Sequence, residues 1–163
     1  MSAPFKTVAL FGKQQSEGVA QTLGEIGAFL DQRGFRVLIE AGIAGAVGRG
    51  DVDAADAGRI GEEADLAVIV GGDGTMLGIA RELARFNMPL VGINQGRLGF
   101  ITDVPIGEYA RALAPMIAGD FEEERRTMLT GVVWRDDERI FEGFAVNAWT
   151  WCWLRPVCQR SRC

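Results

Sequence analysis

The 163-residue chain contains no histidine. That removes Ser-His and Cys-His nucleophile pairs and the commonest zinc ligand, so acid–base chemistry falls to carboxylates, lysines, the single tyrosine or a substrate. Cysteine is missing from residues 1–147. The opening Met1-Ser2-Ala3-Pro4 has no basic region followed by an apolar stretch, so no signal peptide is expected. No apolar run approaches the roughly 20 residues that a membrane-spanning helix needs. Positive charge is also in deficit, with 17 Lys and Arg against 22 Asp and Glu, a net charge of −5. Neither nucleic acid nor an anionic membrane is therefore expected as a partner. A cytoplasmic location is the default expectation.

Hydrophobic residues make up 48% and charged residues 24%, the balance of a globular protein with a real core. The length suits one domain, or one domain and a piece of another. Glycine, with 22 residues, runs well above the average of about 7%. Much of it falls in loops behind apolar runs. The most telling case is Leu66-Ala-Val-Ile-Val70, which reads as a buried strand and ends in Gly71-Gly72-Asp73-Gly74-Thr75. Glycines at a strand-to-helix turn let backbone N–H groups close on an anion, helped by the helix N-terminus. An aspartate there would repel a phosphate. It fits a site in which Asp73 handles a hydroxyl or a metal beside the phosphates, the arrangement of phosphoryl transfer. The alternative is that Asp73 caps the following helix.

In chain order, Thr7–Phe11 is an apolar strand ending in Gly12-Lys13. Ser16 is the expected cap of a helix carrying Val19, Leu23, Ile26 and Leu30 at helical spacing, with Gly34 as its stop. Phe35–Glu40 reads as a second strand, and Ala41–Asp56 as a loop or weak helix. Beyond Thr75, the positions Met76, Ile79, Ala80, Leu83 and Ala84 share a helix face, and Asn87-Met88-Pro89 breaks it. Leu90–Ile93 is a further strand, followed by a second unusual loop, Asn94-Gln-Gly96-Arg-Leu98-Gly99-Phe100-Ile-Thr102-Asp103. Pro105 opens a helix through Tyr109, Leu113 and Met116, ended by Gly119. This alternation predicts an α/β fold, a Rossmann-like parallel sheet flanked by helices, with ligands at the carboxyl ends of its strands. Phe100 reads as a packing residue, and Arg81 as a solvated helix charge that could alternatively face phosphate.

After Gly119 the pattern changes. Met128–Trp134, the turn Asp136-Asp137 and Arg139–Val146 read as a β-hairpin. The expected division is an α/β nucleotide-binding domain over 1–119, the start of a β-rich second domain over 120–147, and an aberrant tail over 148–163. The tail holds all three cysteines and three of the four tryptophans. An odd cysteine count with neither histidine nor paired spacing argues against a metal or disulfide cluster of Cys152, Cys158 and Cys163. A plain Trp-x-Trp-x-Trp strand is another reading. The one favoured here is translation out of frame. Trp149-Thr-Trp-Cys-Trp153 is encoded by TGG-ACN-TGG-TGY-TGG. Read from its third base, that string encodes Asp, then Leu, Val or Met, then Val, then Leu, a natural continuation of a strand.

Gly71-Gly72-Asp73-Gly74-Thr75 followed by Asn94-x-Gly96-x-Leu98-Gly99-Phe100 and Thr102-Asp103 resembles the NAD kinase family, nearly up to Asn147. The first motif alone also resembles phosphofructokinases and diacylglycerol or sphingosine kinases; the second loop is more particular to NAD kinases. The resemblance implies an N-terminal α/β domain, a β-sandwich second domain of which the 128–146 hairpin is the opening, and a homo-oligomer of the intact protein. It implies transfer of the γ-phosphoryl group of ATP, or of polyphosphate, to the adenosine ribose 2′-hydroxyl of NAD, with a divalent metal such as magnesium. It assigns Asp73 to orienting and deprotonating that hydroxyl, and nucleotide binding to Gly71, Gly72, Asp73, Gly74, Thr75, Asn94, Gly96 and Asn147. No metal-ligating residue is assigned. Asn147 matches the asparagine of the family's Asn-Asp/Glu pair, but Ala148 stands where the acid belongs and cannot accept a ribose hydrogen bond. The alternatives carried forward are a diacylglycerol-type lipid kinase and a non-catalytic nucleotide-binding remnant that pairs with full-length subunits.

Overall fold

The computed structural model describes residues 4–13, 16, 18–96, 99–102, 104–125, 128–146 and 153–155. The chain begins with strand β1 (Thr7–Gly12), helix α1 (Val19–Asp31) and strand β2 (Arg36–Glu40). A short helix α2 (Ala41–Ala44), strand β3 (Asp53–Ala55) and helix α3 (Ala57–Glu63) lead to β4 (Leu66–Val70) and α4 (Asp73–Leu83). Strands β5 (Leu90–Asn94) and β6 (Val104–Pro105) precede α5 (Tyr109–Ile117) and β7 (Glu122–Glu124). Strands β8 (Met128–Arg135), β9 (Glu138–Val146) and β10 (Trp153–Arg155) complete the described elements.

The main sheet runs β3-β2-β1-β4-β5-β10-β7, with β6 on β5. Strands β1 to β6 pair in parallel, and β7 lies antiparallel to β10. The expected Rossmann-like α/β sheet is thus present, with a separate antiparallel hairpin of β8 and β9. Continuous apolar runs make these strands because both faces are covered. Along β1, Val8 and Leu10 enter one core with α1 and α5, whereas Ala9 and Phe11 enter a second core with α3 and α4. The same alternation divides Leu66, Val68 and Val70 from Ala67 and Ile69 in β4. Strand order moves outward from β1 to β3, then resumes at β4 on the other side of β1. Such a reversal opens a crevice at the carboxyl ends of the two central strands.

Three expectations need correction. The stretch 41–56 is not wholly loop or weak helix, because Asp53–Ala55 joins β2 as the parallel edge strand β3. Arg59 and Arg36 hold Asp53 there, Arg59 Nη1 at 2.8 Å and Arg36 Nη2 at 2.9 Å. Ser16 does not cap α1. Gly18 occupies the cap with φ of 80°, and the Ser16 hydroxyl instead donates to Gln95 Oε1 at 3.1 Å. Helix α4 begins at Asp73, two residues before Thr75, from which the apolar spacing is read.

The other boundaries follow the sequence. Gly34 and Gly119 end α1 and α5 at φ of 82° and 98°, and Asn87 takes φ of 52° where the α4 segment breaks. In the hairpin turn, Asp136 and Asp137 both have positive φ, as a two-residue primed turn requires. The expected tail over 148–163 falls outside the described residues except for β10, and its three cysteines lie outside them.

Candidate functional site

Gly71 leaves β4 with its N–H bonded to the Ile93 carbonyl at 2.9 Å, which joins the ends of β4 and β5. It is buried, and a β-carbon on it would lie 2.8 Å from Thr75 Cβ. Glycine there lets the first turn of α4 fold back onto the strand end. Gly72 is the helix cap, and the Met76 N–H donates to its carbonyl at 3.1 Å. Gly72 and Gly74 are exposed, with open space where a β-carbon would stand. The motif therefore presents bare backbone and the positive end of an 11-residue helix toward the crevice.

Asp73 is the first residue of that helix, yet its side chain does not turn back as a cap. It reaches the second loop, 27 to 29 positions on. The Phe100 N–H donates to Oδ2 at 2.9 Å. Three donors converge on Oδ1: the Thr102 hydroxyl at 3.0 Å, the Thr102 N–H at 3.2 Å and the Ile101 N–H at 3.3 Å. Burial pushes this carboxyl up, but the Phe100 N–H, the Thr102 hydroxyl and the remaining loop N–H groups outweigh it and hold Asp73 below the ordinary aspartate range. Asp73 is accordingly an ionised acceptor with low basicity.

Asn94, at the end of β5, is buried. Its Nδ2 donates to Thr102 Oγ1 at 2.8 Å and to the Thr102 carbonyl at 3.3 Å, while its Oδ1 accepts the Gly96 N–H at 2.7 Å. Asn94 thus shapes the start of the loop and secures its far end. Gly92 and Gly99 provide the clearance. A β-carbon on Gly92 would lie 2.8 Å from Thr102 Cγ2, and one on Gly99 would overlap the Asp73 carboxylate.

Of the expected binding residues, Gly71, Gly72, Asp73, Gly74, Thr75, Asn94 and Gly96 fall at the ends of β4 and β5. Asn147 lies outside the described residues. Phe100 does not pack: its ring is 94% exposed, because its backbone is committed to Asp73 at the rim of the loop. Arg81 lies exposed on α4, with Nε bonded to the Leu77 carbonyl. Thr102, wholly buried and bonded to both Asp73 and Asn94, was not among the expected site residues. Nor was the Ser16–Gln95 bond that ties the loop after β1 to the loop after β5. Among the described residues no group of three or more His, Cys, Asp or Glu side chains could hold a metal ion. With Asp73 already accepting four hydrogen bonds, these residues do not form a protein cage for one.

A parallel sheet whose order reverses beside an acidic glycine turn places this chain among the doubly wound α/β proteins that bind ligands at strand ends. A family model described as the ATP-NAD kinase N-terminal domain matches residues 8–121, and the chain belongs to that family. It is 53% identical over 151 residues to an NAD kinase of Methylibium petroleiphilum, with 90% of this chain and 50% of that protein covered. It is 48% identical over 147 residues to an NAD kinase of Polaromonas naphthalenivorans, with the same coverage of each. The chain spans about half the length of the curated relatives it matches. Its fold is like that of a yeast NADH kinase solved with NADH, with a TM-score of 0.74 at 17% identity. That match covers 88% of this chain and 47% of the yeast one. An NAD kinase of Archaeoglobus fulgidus solved with ATP gives a TM-score of 0.54 at 22% identity, covering 82% of this chain and 45% of that one.

Proposed function

We propose that the crevice at the ends of β4 and β5 is half of an NAD kinase active site, transferring the γ-phosphoryl group of ATP to the adenosine ribose 2′-hydroxyl of NAD. The observation that carries this reading is the hydrogen-bonded union of Asp73 with Thr102 and Asn94, which joins the two family motifs at the strand-order reversal. Family membership supports it, as do relatives named NAD kinase and the yeast and archaeal structures solved with NADH and with ATP.

In this reading the bare backbone of Gly71, Gly72 and Gly74 and the N-terminus of α4 face nucleotide phosphates. Asp73 Oδ2, with one donor among the described residues, keeps acceptor capacity for the ribose hydroxyl. The ribose oxygen then forms a bond to the γ-phosphorus as the bond to the departing ADP breaks, and the hydroxyl proton passes to Asp73 Oδ2. In a loose transition state positioning outweighs basicity, so a carboxylate of depressed pKa suits the task of aligning the hydroxyl. Magnesium is commonly held by substrate phosphates with few protein ligands. ATP is the proposed donor, with polyphosphate as the alternative. A homo-oligomer and a location in the cytoplasm are proposed from the family and from the composition. Among the described residues no helix is long and apolar enough to cross a membrane.

A second reading concerns this chain taken alone. The hairpin leaves Leu129, Val133 and Phe141 exposed by about half or more, and the chain spans half its relatives' length. Residues 1–119 are then the α/β nucleotide-binding domain and 120–147 the opening of a second domain. The isolated chain binds nucleotide but turns over little. NADP formation from ATP, magnesium and NAD tests both readings. Little turnover with measurable NAD binding is expected. Turnover that Asp73→Asn abolishes would overturn the remnant reading, and phosphorylation of diacylglycerol but not NAD would overturn the NAD kinase reading.

A further inference from the structure

We infer that Thr102 is a positioning residue for Asp73, fixing one carboxylate oxygen so that the other is held toward the crevice for a substrate hydroxyl. This rests on the proposed role of Asp73. Thr102 is 0% exposed, and its hydroxyl occupies the middle of a directed chain. It accepts from Asn94 Nδ2 at 2.8 Å, which leaves its own proton to be donated to Asp73 Oδ1 at 3.0 Å. A hydroxyl has one proton, so the Asn94 bond selects the direction of the second bond. Oδ1 thereby takes three donors, two of them from Thr102, and the carboxylate cannot rotate without breaking them. Among the described residues Oδ2 takes one donor, the Phe100 N–H, and keeps a spare lone pair.

The methyl and the hydroxyl of Thr102 make separable contacts. The methyl packs over Gly92, where a β-carbon would approach within 2.8 Å, and the hydroxyl serves the polar chain. Thr102→Val keeps the methyl and removes the hydroxyl; Thr102→Ser does the reverse. Two quantities are measured on the full 163-residue chain: the Asp73 carboxyl titration by carbon-detected NMR, and NAD binding by calorimetry. Thr102→Val is expected to raise the Asp73 pKa and to weaken NAD binding roughly tenfold, the scale of one lost hydrogen bond to a charged group. Thr102→Ser is expected to track the parent in both. A role in packing alone predicts the opposite order. An unchanged Asp73 titration in Thr102→Val, or a Thr102→Ser chain as impaired as Thr102→Val, overturns the inference. A raised Asp73 pKa in Thr102→Val, with NAD bound by neither parent nor variants, upholds the positioning of Asp73 and counts against the NAD kinase reading instead.

Discussion

Gly99 lies against Asp73 so closely that a β-carbon on it would overlap the carboxylate. The requirement for glycine at this position is spatial. Gly99→Ala must displace either the carboxylate or the turn in which the Gly99 N–H bonds the Thr102 carbonyl at 3.2 Å. The expected cost is about 1–3 kcal/mol in urea unfolding, the range for overpacking a close-fitted site. Amide shifts are expected to change at residues 99–102.

The Asp73 carboxyl titrates below its ordinary value, so its ionised form is favoured by folding. That contribution is fully present above the unfolded-state value, about 3.9, and is lost as pH falls through the lower folded value. Asp73→Asn, which turns an amide toward donors, is expected to destabilise the chain by about 1–3 kcal/mol near neutrality. Urea midpoints across pH should show this gap narrowing below about pH 4. Asp53 and Glu63 titrate low for the same kind of reason, paired with Arg59 and Arg36, so some acid sensitivity persists in the variant.

The Arg36–Asp53–Arg59–Glu63 cluster joins β2, β3 and α3 at the sheet edge. Each of its side chains is a third or more exposed. Exposed pairs are worth little, so Arg59→Ala is expected to lower stability only slightly, an effect that shrinks in high salt. Chemical denaturation with and without added salt checks this.

The hairpin presents two unlike faces. Met128, Thr130 and Phe144 line a cavity against Leu83, Met88 and Leu90, with a volume of about 220 Å³. Leu129 and Val133 alternate with those positions, and Phe141 pairs with Val133, so all three point away from α4. Changing Leu129, Val133 and Phe141 together to threonine keeps strand propensity and removes three of the hairpin's exposed apolar side chains. Sedimentation velocity should show less self-association than for the parent chain, with an unchanged α/β circular dichroism signature.

The sheet was legible because β1, β4 and β5 are buried on both faces and so read as unbroken apolar runs ending in glycine or asparagine. Strand β3 was not, since Asp53–Ala55 is three residues held by backbone pairing and ion pairs rather than by an apolar pattern. The α1 cap was misplaced because side-chain preferences favour Ser16, whereas the backbone turns at Gly18. Asp73 and Asn94 stood out through their glycine-rich surroundings. Thr102 could be quoted as part of a motif, but its importance depends on two hydrogen bonds to residues 8 and 29 positions away. Such contacts have no periodicity to reveal them. Phe100 misled for the converse reason: an aromatic residue signals a core, and here the loop's backbone bonds fix it outside.

NAD is proposed to meet the chain at Asp73. The most direct measurement is NMR of the isotope-labelled chain titrated with NAD, comparing the parent with Asp73→Asn. Saturable shifts are expected at residues 71–75, 94–96 and 99–102, with affinity reduced about tenfold or more in Asp73→Asn. Shifts absent from those residues, or confined to the cavity between α4 and the hairpin and indifferent to Asp73→Asn, would contradict that placement of NAD.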